Sequence, residues 1–120
     1  ACMEGVAYIE KYAFEKIKDL SGENISKVFS AGGGSKSDLW LKIRSSVVGL
    51  PVCKMQHVSG AAGAAIIAAS KTYFDTVIEA AENMIRPEKI IEPDAALIAA
   101  YEQNYQAFIQ LLRDKEYINE

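Results

Sequence analysis

The chain has 120 residues, 50% of them hydrophobic and 24% charged, which is the composition of one compact unit at most and not of a disordered segment. A net charge of −3, with no Lys/Arg stripe interleaved with aromatics, gives no field for nucleic acid, and the longest apolar run, Gly60 to Ala69, is about half of what a membrane span needs. Cys2 and Cys53 stand far apart in no C-x-x-C spacing, and no charged n-region precedes an apolar h-region. A zinc site, a disulfide scaffold and a secretory signal are thereby argued against, and a reduced, cytoplasmic setting fits best.

In chain order, Val6, Ile9, Ala13, Ile17 and Leu20 recur at spacings of three and four and predict a helix with that stripe inward. It opens at Ala1-Cys2-Met3 without an initiator methionine or a capping residue, as a helix cut from something longer would, and Ser21-Gly22 stops it. Ile25 to Ala31 is a strand, followed by Gly32-Gly33-Gly34 and then a helix capped by Ser37, with Asp38 in its first turn, running through Leu39, Trp40, Ile43 and Val47 to Gly49. Pro51 starts a second strand, Val52 to Met55, and His57 to Ser59 is a loop. The Gly/Ala-rich segment Gly60 to Phe74 predicts a helix lying close against a sheet. Asp75 caps a short helix from Thr76 to Ile85, Lys89 to Glu92 is extended, and Pro93-Asp94 opens a long helix with Ile98, Tyr101, Tyr105, Phe108 and Leu112 on one face. Two strands joined by a crossover helix predict a parallel, right-handed βαβ unit. Two strands are too few for a stable open sheet, so neighbours are expected from missing sequence or from another chain.

The most informative stretch is Val28 to Trp40, an apolar strand, a triple-glycine turn and a helix start. Bare N–H groups at a helix N-terminus favour an anion such as a phosphate, and glycine lets a ligand approach the backbone. It is not a P-loop, because Ser35 and not glycine precedes Lys36-Ser37. It is not a dinucleotide fingerprint either: Ser37 takes the third glycine's place, and Lys54-Met55-Gln56 brings no acid for a ribose. Taken alone, the turn fits a plain strand-to-helix connection as well as a phosphate site.

The order of four segments goes further. Ala31-Gly32-Gly33-Gly34-Ser35-Lys36-Ser37-Asp38-Leu39-Trp40 with Ile43-Arg44, then Val48-Gly49-Leu50-Pro51-Val52, then Ala61-Ala62-Gly63-Ala64-Ala65, with Glu4-Gly5-Val6-Ala7 before them and Ile91-Glu92-Pro93-Asp94 after, resembles the FGGY carbohydrate kinases, xylulokinase branch. The resemblance spans essentially the whole chain. It implies an α/β fold: the distal part of a C-terminal actin-like (ribonuclease H-like) ATPase domain, with a helix-strand-helix-strand-helix core and extra C-terminal helices. It also implies ATP with Mg as cofactors. Gly33 matches a glycine lying against the nucleotide's phosphate and sugar side, and Ser37 a small polar position touching the adenosine. Gly32 and Gly34 shape the turn and approach the ligand, so that the resemblance implies an ATP-binding set of Gly32, Gly33, Gly34 and Ser37. Ala61-Ala62-Gly63-Ala64 is expected to pack below the adenosine pocket, outside the site. Gln56-His57-Val58-Ser59 depart from the acidic residues usual there.

Plainer readings hold for the other candidates. Lys36 reads as a solvated turn lysine, Asp38 as a dipole partner, His57 as a surface histidine and Cys53 as a small buried hydrophobe. Trp40 and the Tyr101, Tyr105, Phe108 stripe read as packing. No metal-ligand set and no general acid/base pair is present, and the resemblance implies that the catalytic aspartate and the sugar-binding residues lie upstream. The expectation is part of an ATP-dependent kinase acting on a ketose, its isolated 120 residues inactive. The alternatives are a stand-alone binding or oligomerisation module, self-associating through an exposed sheet edge, and another actin-like ATPase.

Overall fold

The computed structural model describes residues 2–56 and 59–119; the readings of His57 and Val58 lie outside them. Its elements are α1 (Cys2–Ser21), β1 (Val28–Ser30), a 3₁₀ turn (Gly33–Lys36), α2 (Asp38–Val48), β2 (Val52–Met55), α3 (Gly60–Ala69), α4 (Val77–Met84), β3 (Pro87–Ile91) and α5 (Ala95–Asp114). β1 and β2 run parallel, with Val28 opposite Val52, as a crossover helix requires. The segment read as extended from Lys89 to Glu92 falls largely in a third strand, Pro87–Ile91, antiparallel to β2, with Val52 opposite Ile91. The sheet order is β1-β2-β3, so β1 is an edge among the described residues.

α2 is the hub. Its Leu41, fully buried, packs on Val28, Val52 and Ile91 of the three strands, with Phe14 and Leu50 at the margin. Its other side, through Val47, joins Ala7 and Tyr8 of α1 and Tyr105 and Ile109 of α5 in a second cluster. Two adjacent buried serines tie it down: Ser45 Oγ lies 2.8 Å from the Leu50 carbonyl and 3.0 Å from that of Ile91, and Ser46 Oγ accepts from the Asp94 N–H. The caps match their residue types. Ser37, Thr76 and Asp94 accept N–H groups in the first turns of α2, α4 and α5, and Gly49 closes α2 at φ 75°.

Three expectations are corrected. The stripe Val6, Ile9, Ala13, Ile17, Leu20 faces outward, with Leu20 89% exposed; the inward side carries Ala7, Tyr8, Lys11 and Phe14 instead. Both sets recur at three and four residues, and the neighbours α2 and α5 offer aromatic and charged partners that select the second. The Gly/Ala helix ends at Ala69 and not at Phe74, and none of its residues is buried, so it does not lie close against the sheet. The following helix is capped by Thr76, and Asp75 instead donates its N–H to Glu79.

Candidate functional site

The glycine turn starts where β1 ends. Gly32 takes φ 89°, ψ −172°, a conformation open essentially to glycine alone. Its carbonyl then accepts both the Ser35 N–H at 3.2 Å and the Ser35 hydroxyl at 2.6 Å, which winds residues 33–36 into one 3₁₀ turn. The glycines therefore begin this turn, and the α-helix starts only after Ser37. Ser37 is extended, and its Oγ accepts the Trp40 N–H at 3.2 Å, leaving the hydroxyl's own hydrogen free to donate.

Each of the three glycines has a different reason for being there. Gly32 needs its backbone angles. A Cβ on Gly34 would meet the Trp40 indole at 3.3 Å, so the ring rests on bare backbone. Gly33 has neither constraint: its φ is ordinary and the space beside it is open, so its missing side chain leaves an exposed, approachable backbone. Gly34, Ser37 and Trp40 form one wall of a hollow of about 320 Å³, and Cys2, Met3 and Val6 from the start of α1 form the other. These α1 residues were missed at the sequence level. No local pattern near residue 3 points to a turn thirty residues on; only the fold brings them together.

Electrostatics around the turn are local. Lys89 of β3 donates to Asp38 at 2.7 Å and holds that carboxyl below its ordinary range, while Glu88 beside Lys54 pushes the ammonium upward. Asp38 thus faces β3 and not the hollow, and Lys36 is exposed at the end of the turn. Trp40 is half-buried against the α1/α5 cluster, Cys53 is buried in β2, and Tyr101, Tyr105 and Phe108 pack inward as read. Among the described residues no group of three or more His, Cys, Asp or Glu side chains could hold a metal ion, and no helix is long and apolar enough to cross a membrane.

Residues 1–72 match the family model "FGGY family of carbohydrate kinases, C-terminal domain". The chain belongs to the FGGY family. It is 31% identical over 110 residues to a xylulose kinase of Staphylococcus epidermidis, covering 90% of this chain and 22% of that protein. It is 30% identical over 119 residues to an autoinducer-2 kinase of Escherichia coli, covering 96% of this chain and 22% of that protein. Among solved structures, the xylulose kinase of Rhodospirillum rubrum superposes with a TM-score of 0.79 at 26% identity, covering 93% of this chain and 23% of the other. The chain thus spans about a fifth of the length of these FGGY relatives. The match to the xylulose kinase structure identifies the fold as that of an actin-like ATPase.

Proposed function

We propose that this chain forms part of the nucleotide-binding site of an ATP-dependent sugar kinase of xylulokinase type. The carrying observation is the hollow at the glycine turn, lined by Gly34, the donating hydroxyl of Ser37 and the apolar walls of Met3, Val6 and Trp40, with the open backbone of Gly33 one residue earlier in the same turn. Those groups suit an adenosine phosphate: bare N–H groups for the phosphate and sugar side, a hydroxyl for the adenosine, and apolar surface for a flat base. Gly32 and Gly34 hold the turn in shape. When bound with Mg, ATP supplies the phosphoryl group. Positioning and charge stabilisation dominate that chemistry, and a carboxylate takes the sugar hydroxyl's proton. In this reading residues 1–120 bind and orient, while the catalytic aspartate and the sugar-binding residues lie in sequence beyond them, in a cytoplasmic enzyme. The domain assignment follows: the 120 residues are the distal portion of the kinase's C-terminal domain.

The test is an ADP titration of the purified chain followed by the emission of Trp40, its sole tryptophan, alongside a phosphotransfer assay with D-xylulose. A saturable change that Ser37→Ala weakens, with no phosphotransfer, is expected. No response to ADP sinks the nucleotide reading, and phosphotransfer above background sinks the placement of the catalytic residues elsewhere. A second reading, self-association of the chain as a binding module, is favoured by the open β1 edge and the apolar outer stripe of α1.

A further inference from the structure

We infer that Arg44 is a positioning residue for the glycine turn, setting it from beneath through Ser30 and Trp40; the inference rests on the nucleotide reading above for its functional consequence. Arg44 lies on the inner side of α2 with its side chain only 14% exposed. Its guanidinium engages three elements. Nε donates to Glu10 Oε2 at 2.8 Å and Nη2 to Glu10 Oε1, a two-pronged contact with α1. Nη1 donates to Ser30 Oγ at 2.6 Å, at the last residue of β1 and two residues before Gly32. The guanidinium carbon Cζ lies over the Trp40 ring, 5.7 Å from its centre, and the edge of that indole sits against Gly34.

One rigid fork therefore fixes the strand end that launches the turn, the ring that covers it, and the helix whose N-terminal residues form the opposite wall of the hollow. Arginine suits this place because it combines a bidentate match to a carboxylate with a flat face for an aromatic ring. Lysine keeps the charge opposite Glu10 and loses the planar face and the simultaneous bonds. A group that only stabilised the fold would be replaced by lysine without consequence for the turn.

The experiment compares wild type, Arg44→Lys and Arg44→Met in the 120-residue chain. The readouts are the thermal midpoint, the emission and acrylamide quenching of Trp40 without ligand, and ADP affinity. Arg44→Met is the harsher change and is the one at risk of unfolding. Arg44→Lys is expected to lower the midpoint less than Arg44→Met does and to stay folded, while Trp40 shifts its emission and quenches more readily, with ADP binding weakened roughly tenfold. Unchanged Trp40 spectra in Arg44→Lys, or ADP affinity within about twofold of wild type, overturn the inference. If the wild type itself gives no response to ADP, the nucleotide reading is what fails. The positioning role is then decided by the ligand-free Trp40 spectra alone: a shift in Arg44→Lys upholds it and no shift overturns it.

Discussion

On one face of the sheet Leu41 is fully buried among Val28, Val52 and Ile91, while on the other Phe29 and Ile90 keep 60% and 53% of their surface exposed. The first face is finished within the chain: α2 lies on it, and α1 and α5 lie on α2, joined by Lys11 with Glu102, Glu10 with Arg44, and Tyr105 with Glu15. The second face looks into a groove bordered by Cys53, Met55 and Ile85, beyond which α3 and α4 pack mainly on each other. The contrast shows in the whole molecule. Its surface is 8026 Å² where roughly 6400 Å² is usual for its mass, and its radius of gyration is 17.3 Å where roughly 14 Å is usual. Under the proposed function the surplus is surface of a larger kinase.

The largest expected effect tests the finished face. Leu41→Ala should cost about 2–5 kcal/mol in urea unfolding, because a fully buried side chain leaves a cavity that three strands and a helix cannot close together. A cost under about 1 kcal/mol would break the comparison, since it would mean that this face also yields.

Next comes the polar seam between α1 and α5. The Tyr105 hydroxyl donates to Glu15, and burial with that carboxylate beside it pushes its ionisation well above the ordinary value of 10.0. The unfolded chain loses this proton as the pH passes 10.0, whereas the folded chain keeps it. The unfolded state then binds fewer protons, so stability should be intact below that pH and fall above it. Tyr105→Phe should cost about 1.5–3 kcal/mol at neutral pH and flatten the alkaline decline. Glu102 works in the opposite direction. The hydrogen bond from Lys11, helped by one from Gln106, holds its carboxyl below 4.5, so its contribution is present above that pH and lost as the pH falls. Unfolding curves measured across both limbs separate the two, and an alkaline limb identical in Tyr105→Phe would remove the seam from the account.

Smaller again is Gly32→Ala. At φ 89°, ψ −172° an alanine is strained whatever space surrounds it, at a cost of about 1–3 kcal/mol. Gly33→Ala should be close to neutral in unfolding, its φ being ordinary and its surroundings open. A matching loss at Gly33 would show that its bareness serves packing and not a ligand.

That pair also marks how far the sequence could be read. The parallel pairing of β1 with β2, the stop at Gly49 and the cap at Ser37 were legible because turn chemistry and crossover geometry are local. The outward turn of Val6, Ile9 and Leu20 was not. Two stripes on α1 share the helical period, and the choice between them is made by Arg44 and Glu102, far along the chain. The extended segment Lys89 to Glu92 was visible, but its start at Pro87 and its pairing with β2 were not, because register comes from tertiary contact. At the site, three identical letters hid three different duties, which separate only through a backbone angle at Gly32, an indole over Gly34 and open space at Gly33.

The smallest expected effect falls on the unfinished side and decides between its two possible meanings. Ile78 on α4 is 72% exposed, so Ile78→Ser should change stability by less than about 0.5 kcal/mol in the monomer. If copies of the chain cover one another's apolar surface, the same substitution lowers the thermal midpoint, and the loss grows with protein concentration because association stabilises by mass action. Melts at two concentrations a hundredfold apart, paired with sedimentation of wild type and variant, distinguish the cases. A midpoint independent of concentration in both proteins leaves the exposed face as surface for other parts of a kinase. A midpoint that rises with concentration in the wild type alone moves the weight to self-association through the exposed apolar surface of α4.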